Sequence, residues 1–423
     1  MDKTTYLVVG AGVSGLAFAN FIADDDYIIL ERDSEIGGYC KTIQQDGFVW
    51  DYSGHFFHFR HKDLEQYLVD RMPNDEIKVV NKCSQILYKD RMVEFPFQKN
   101  IHQLPQDEFI ECLYDLYFLD KSTEPTNFKE MVYSRFGAGI AEKFLVPYNE
   151  KLYACDLSEL DVNAMGRFFP YADLDGIIKN FRQADNSSYN STFTYPSGGA
   201  ISYVNALASE VKPEGLALNE GLISIDLKRK VATTTNREIQ FEYLISSAPF
   251  NKLLNMTGLP YPSEAFRYNK VLVFNLGFDK KGWEGKHWVY FPERKYCFYR
   301  VGFYDNIFDT DRMSLYVEIG YPSDATVPVE EMKQKTLEGL KEAGVITDHQ
   351  LVSSHNIILD PAYVHITQES NNLVDELRGV LATRGVYSIG RYGGWTYCAI
   401  EDNMIEARTL AHQLNQITQL PSK

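Results

Sequence analysis

The chain of 423 residues is short of positive charge: 42 Lys and Arg stand against 58 Asp and Glu, a formal net charge of −16. That excludes a nucleic-acid binder, which carries a basic face. An anionic ligand, if bound, is then held by a few local cations and not by the overall field. No stretch of about 18 uninterrupted apolar residues occurs, so no membrane span is expected. Residues 1–5 lack the charged and apolar regions of a signal peptide. The six cysteines (Cys40, Cys83, Cys112, Cys155, Cys297 and Cys398) are scattered, with no Cys-x-x-Cys pair. They read as reduced thiols of a cytoplasmic protein and exclude a zinc or disulfide framework. A second Gly-x-Gly-x-x-Gly and a Cys-x4-Cys pair are also missing, which tells against a disulfide reductase with its own NAD domain. Aromatics, by contrast, are plentiful at 14%, with 28 Tyr and 26 Phe. At about 100–200 residues per domain, the length predicts two or three domains.

The first chemistry lies at the N-terminus. Tyr6-Leu7-Val8-Val9 reads as a strand buried on both faces, and Gly10-Ala11-Gly12-Val13-Ser14-Gly15 follows at once. A helical run from Leu16 to Phe21, a second strand Tyr27-Ile28-Ile29-Leu30 and the acid Glu31 complete a dinucleotide-binding unit. Gly10 permits the tight turn. Gly12 lets a pyrophosphate approach the helix N-terminus, where N–H groups and the helix dipole favour an anion. Gly15 lets helix and strand pack closely, and Glu31 is placed for the adenosine ribose.

Glu31 is followed by Arg32-Asp33-Ser34-Glu35-Ile36-Gly37-Gly38 and, further on, by Phe48-Val49-Trp50-Asp51-Tyr52-Ser53-Gly54-His55. Together these resemble the signature of the FAD-dependent superfamily that includes amine oxidases, protoporphyrinogen oxidases and sugar-nucleotide mutases. Ile245-Ser246-Ser247-Ala248-Pro249 is similar to the strand that ends the middle flavin-domain segment. Val386-Tyr387-Ser388-Ile389-Gly390-Arg391 and Asn403-Met404 resemble the C-terminal return that caps the ring system. The resemblance implies FAD contacts from Gly10, Gly12, Val13, Ser14, Gly15, Glu31, Arg32, Gly37, Gly38, Gly54, His55, Gly390, Arg391, Asn403 and Met404. It implies an α/β fold with a discontinuous Rossmann-like FAD-binding domain (1–82, 195–260 and 376–423). A helical substrate or lid domain (99–194) and a mainly antiparallel sheet domain (83–98 and 261–375) complete it.

Local patterning agrees with this division. A hairpin is expected over 83–98 around Lys89-Asp90-Arg91, and a meander over 222–245. Phe109, Ile110, Leu113, Leu116 and Tyr117 form one apolar helical stripe, and 330–344 an amphipathic helix. Val271 to Leu276, Trp288 to Phe291 and Tyr296 to Arg300 read as strands.

Five further segments resemble the UDP-galactopyranose mutase family, nearer its eukaryotic-type pattern. Phe95-Pro96-Phe97-Gln98-Lys99-Asn100 is similar to the segment that holds the uracil, which implies roles for Phe95, Phe97 and Gln98. The run from Phe144 through Pro147-Tyr148-Asn149-Glu150-Lys151 to Tyr153 resembles the stretch that contacts uridine and lines the sugar pocket, implicating Phe144, Asn149 and Tyr153. Tyr290 to Arg300 resembles the segment that gives a tyrosine and an arginine to the diphosphate. Asp360-Pro361-Ala362-Tyr363 and the run from Gly390 to Tyr397 supply two more diphosphate tyrosines, Tyr363 and Tyr397. Two departures leave base and sugar open. The family's second arginine corresponds to Arg167, displaced by one position in Gly166-Arg167-Phe168. The tyrosine expected just after Arg300 is missing unless Tyr304 substitutes.

The resemblance implies covalent catalysis by reduced FAD, through N5, in the interconversion of pyranose and furanose forms of a nucleotide-diphosphate sugar. Such an activity serves cell-surface polysaccharide biosynthesis. His55, Arg167 and Arg300 are the expected catalytic residues. NAD(P)H is admitted as electron donor and a homo-oligomer is left open. His55, His58 and His61 recur every three residues, but Phe56, Phe57, Phe59 and Arg60 lie between them and no acid or cysteine falls in register, so no metal site is read there. An FAD-dependent oxidase or desaturase of the amine oxidase or protoporphyrinogen oxidase type is the alternative. A noncatalytic flavoprotein is a third.

Overall fold

The computed structural model describes residues 1–120, 122–186 and 191–418. Among these, one mixed sheet carries the N-terminal turn. Its parallel centre runs Glu238–Ser246, Asp2–Val9, Tyr27–Leu30 and Leu216–Ala217. Leu222–Asp226 and Val231–Thr234 add an antiparallel edge, and Val386–Ser388 returns from the far end of the chain to pair with Glu238–Ser246 in parallel. Register places Val9 opposite both Leu30 and Ser246, so the chain leaves the sheet at Gly10 between two strand ends. Helices Val13–Phe21, Ile201–Ala208 and Ile400–Thr418 pack on one face, burying Leu16, Phe18, Val204, Met404 and Ala411 with Tyr6, Val8 and Ile29. On the opposite face Leu7, Val9, Leu30 and Leu244 are buried in the second core, and the apolar character of the central strands follows from burial on both sides.

A second sheet has the order Leu351–Leu359, Asn269–Phe278, Ser314–Pro322, Arg300–Phe303, Trp288–Tyr290, Ser84–Tyr88 and Arg91–Glu94. It is antiparallel except where Trp288–Tyr290 meets Ser84–Tyr88. Its outer face is closed by helix Val329–Glu342 through Met332 and Leu340, while its inner face looks toward the first sheet. Helices Gln106–Tyr117, Phe128–Ile140, Val146–Tyr153 and Leu174–Asn180 stand to one side. Strand Thr192–Pro196 runs through the expected boundary at 194/195 and pairs with Ile77–Asn81.

Three local expectations are corrected. The 83–98 hairpin has a two-residue turn, not three: Lys89 and Asp90 both take positive φ (46° and 61°), and Arg91 already pairs with Tyr88. Such a turn matches the twist of its strands. On Gln106–Tyr117 the buried stripe is Cys112 and Leu116, whereas Ile110 and Tyr117 are exposed. The third strand of the 265–325 region begins at Arg300, since Tyr296 and Phe298 sit in the preceding turn with their rings on Phe291. There, ring packing within a turn outweighs β propensity.

Candidate functional site

A cavity of about 860 Å³ opens between the two sheets. One wall is mostly backbone. Gly10 turns the chain with φ +100°, a conformation that favours glycine. Gly12 caps helix Val13–Phe21, and a Cβ there would point at Gly37 and Gly38 across a gap of 3.9 Å. The helix's first N–H groups, which have no intrahelical acceptor, thus head a cradle bordered by two further glycines. A Cβ on Gly15 would collide with the Gly10 carbonyl, so Gly15 serves helix–strand packing behind the wall. Glu31 is buried and receives the N–H groups of Ala11 (2.9 Å) and Asp33 (3.0 Å). Val13, Ser14, Arg32, Gly54, His55, Arg391 and Asn403 also line the cavity. Gly390 and Met404 lie behind it, and the Asn403 side chain accepts the Arg391 N–H at 2.7 Å. Backbone donors, a narrow glycine gap and a terminal acid fit the adenosine diphosphate part of FAD.

The opposite wall is made of side chains. Cross-strand register places Tyr290 opposite Arg300 and Arg300 opposite Glu318, so all three project to one face. Arg300 grips Glu318 with two donors, Nε and Nη2, the latter 2.8 Å from Oε1. Burial alone would weaken the Arg300 charge, but the Glu318 carboxylate holds its pKa well above the ordinary value. Tyr316 lies two residues before Glu318 on the same strand face, and Tyr299 and Tyr148 complete this side. Burial raises Tyr290 to about 12 and pushes Tyr148, Tyr299 and Tyr316 well up, so their hydroxyls stay protonated as donors. Tyr363 and Tyr397 stack at 5.9 Å, with the Arg391 guanidinium 4.6 Å from the Tyr397 ring centre.

The remaining expected residues divide between wall and interior. Phe95, Phe144 and Asn149 line the cavity. Asn149 donates to the Leu145 carbonyl (2.7 Å), and its buried Oδ1 has no protein partner. Phe97 is fully buried behind Phe144, stacked at 5.2 Å, and Gln98 donates to the Pro170 carbonyl while its Oε1 lacks a partner. Tyr153 is buried beneath Tyr363 with its hydroxyl unpaired. Arg167 points away from the cavity: its Nη2 meets both Asp402 oxygens, at 2.8 and 2.6 Å, and Arg60 shares that aspartate. The same turn presents Phe168 to the cavity instead. Tyr304 sits behind the wall and donates to the Ser53 carbonyl (3.2 Å), and it is Tyr316, not Tyr304, that lines the cavity.

His55 lines the cavity with Nδ1 3.2 Å from the Ser53 carbonyl, and burial lowers its pKa to about 4, leaving the ring neutral at pH 7. His58 turns to the Thr192 carbonyl and His61 toward Glu401. Among the described residues, no three His, Cys, Asp or Glu side chains are grouped to hold a metal ion, and no helix is long and apolar enough to cross a membrane. Tyr148, Tyr299, Tyr316 and Glu318 were not singled out from the sequence. A trace was present in Tyr316 and Glu318, which alternate correctly on one face of an otherwise apolar strand.

A flavin containing amine oxidoreductase family matches residues 13–368. A probable UDP-galactopyranose mutase from Klebsiella pneumoniae is 21% identical over 299 residues, covering 68% of each chain. The crystal structure of a reduced UDP-galactopyranose mutase superposes with a TM-score of 0.90 at 25% identity, over 98% of this chain and 94% of that one. A putative protoporphyrinogen oxidase from Exiguobacterium sp. 255-15 shares the fold, with a TM-score of 0.78, 16% identity and coverage of 98% and 99%. With most of its length matched, the chain belongs to the family of flavin containing amine oxidoreductases and has their α/β FAD-binding fold.

Proposed function

We propose that the protein is a flavin-dependent mutase that interconverts the pyranose and furanose forms of UDP-galactose or a related nucleotide sugar. The observation that carries this reading is convergence: Arg300, Arg391 and the tyrosines at 290, 299, 316, 363 and 397 share one cavity with the glycine cradle. Protonated tyrosines and charged arginines suit a diphosphate, each charge-assisted hydrogen bond contributing about 1.5–3 kcal/mol. Phe144 and Tyr148 stack at 5.2 Å and offer a flat surface for a base, beside the unpaired Asn149 carbonyl oxygen. Gly10, Gly12, Gly37, Gly38, Glu31 and the Arg391–Asn403 pair would hold FAD, with neutral His55 beside it. When bound and reduced, that group supplies the nucleophile for covalent catalysis at the anomeric carbon. The protein's part is to clamp the diphosphate and exclude water while the sugar rearranges. NAD(P)H is admitted as electron donor in this reading on the family resemblance alone. The six free cysteines support a cytoplasmic setting.

The test is to incubate the dithionite-reduced holoprotein with UDP-galactopyranose or UDP-galactofuranose and separate the products by chromatography. Appearance of the other ring form is expected, and its absence with several nucleotide sugars overturns the reading. The aromatic lining favours one rival. Ring faces such as those of Phe144, Tyr148 and Tyr316 suit an ammonium ion, as an amine oxidase substrate would present. Oxygen consumption with amines would select that rival.

A further inference from the structure

Glu318 is a carboxylate placed where an anion-binding wall has no obvious use for one. It is 2% exposed and lines the cavity. An ionised acid beside a diphosphate is electrostatically adverse, so its presence calls for a compensating role. The contacts supply one. The carboxylate receives Nε and Nη2 of Arg300 and, on Oε1, the Ser53 hydroxyl. A two-point hold fixes the plane of a guanidinium, whereas a single bond would leave it free to swing. It also uses one edge of Arg300 and leaves Nη1 as a donor edge for a ligand.

Ser53 is strained. Its φ is +109°, a region that residues with a side chain rarely enter and that persists where the surroundings over-determine it. Here the hydroxyl is tied to Glu318, while the Ser53 carbonyl receives the Tyr304 hydroxyl and His55 Nδ1, both at 3.2 Å. Hydrogen bonds therefore link Arg300 to Glu318 and Glu318 to the Ser53 hydroxyl, and the covalent frame of Ser53 carries the connection on to its carbonyl and so to His55. It joins the side-chain wall to the loop that adjoins the glycine cradle.

We propose that Glu318 is a positioning residue for Arg300 and for the loop at 53–55 at once, coupling anion binding at one wall to the cofactor's surroundings at the other. The inference rests on the nucleotide-sugar reading above. A carboxylate that merely filled space in the sheet would have no reason to link these two walls, and the coupling is what separates the two roles.

The experiment titrates UDP into FAD-loaded wild type, Glu318→Gln and Ser53→Ala. Calorimetry reads affinity and the visible flavin bands are recorded on the same samples. Flavin content and melting temperature report whether each variant is folded, and Ser53→Ala removes one hydroxyl without adding bulk. In wild type, UDP is expected to shift the flavin bands. In Ser53→Ala, affinity should stay within about threefold while the band shift falls by at least about threefold, the mark of lost coupling. In Glu318→Gln, the band shift should fall likewise and affinity should drop by about tenfold, as Arg300 loses its two-point hold. UDP binding that leaves the wild-type bands unmoved, a full band shift in Ser53→Ala, or tighter UDP binding by Glu318→Gln overturns the proposal and leaves the function reading standing. Failure of wild type to bind UDP or any other nucleoside diphosphate overturns the function reading and this inference with it.

Discussion

The two walls of the cavity are built on opposite principles. The cradle wall is backbone: Gly10, Gly12, Gly37 and Gly38 contribute by having no side chain, and the helix contributes N–H groups it cannot use itself. The facing wall is side chain: Tyr290, Arg300, Tyr316 and Glu318 come from neighbouring strands and act through hydroxyls, a guanidinium and a carboxylate. A backbone wall is broken by adding atoms. A side-chain wall is broken by removing them, and it responds to protonation in a way that N–H groups do not.

The largest effect should come from filling the first wall. Gly12→Val would put a branched side chain into the gap facing Gly37 and Gly38. The variant is expected to purify without colour and to resist reconstitution with FAD, as read by absorbance at the flavin bands; a yellow protein would show that the cradle does not lie there. Next is removal from the second wall. Arg300→Ala leaves Glu318 buried beside Ser53 without its cation, and breaking a buried pair from one side costs about 3–5 kcal/mol. Urea unfolding should show that loss with flavin still bound in the native state, together with weakened nucleotide-sugar binding. Adding Glu318→Gln should restore much of the stability but not the binding.

The third prediction concerns protonation behind the side-chain wall. His287 is buried, accepts the Cys83 N–H through Nδ1 at 2.9 Å, and is lowered by burial and the nearby Lys82 from 6.5 to about 4. Between those values the unfolded imidazole takes a proton and the folded one does not. Its stabilising contribution is therefore whole above pH 6.5 and drains away as pH falls toward 4. His287→Gln should flatten that acid limb by about 2–3 kcal/mol in unfolding titrations; an unchanged limb would place the cause at other groups. The smallest effect is expected at Arg167, whose pairing with Asp402 is partly exposed. Arg167→Ala should cost about 0–1 kcal/mol and leave nucleotide-sugar affinity nearly unchanged. A large loss of binding would show that this side chain turns inward when ligand arrives.

The same division explains what could be read from the sequence. The cradle was legible because its parts are nearly contiguous and each glycine has a local reason to be there. Tyr290, Arg300, Tyr363 and Tyr397 were legible through spaced motifs. Glu318 was not, because its partnership with Arg300 exists only once two strands settle into register, and no local pattern states that register. Tyr148 lay inside a recognised motif, yet which of its neighbours faces the cavity depends on the rotation of a short helix. Arg167 shows how little separates the outcomes: on a tight turn, one position decides whether a cation or the ring of Phe168 enters the cavity. Phe97, Gln98 and Tyr153 lie one layer behind the cavity lining, a depth that no local pattern states.

Strand Val386–Ser388 enters the first sheet beside Glu238–Ser246, and Arg391 and Asn403 follow it onto the cavity wall. The glycine turn at residue 10 and the wall residues Arg391 and Asn403 are thus remote in sequence, and they become neighbours only because one strand, Glu238–Ser246, accepts Asp2–Val9 on one edge and Val386–Ser388 on the other.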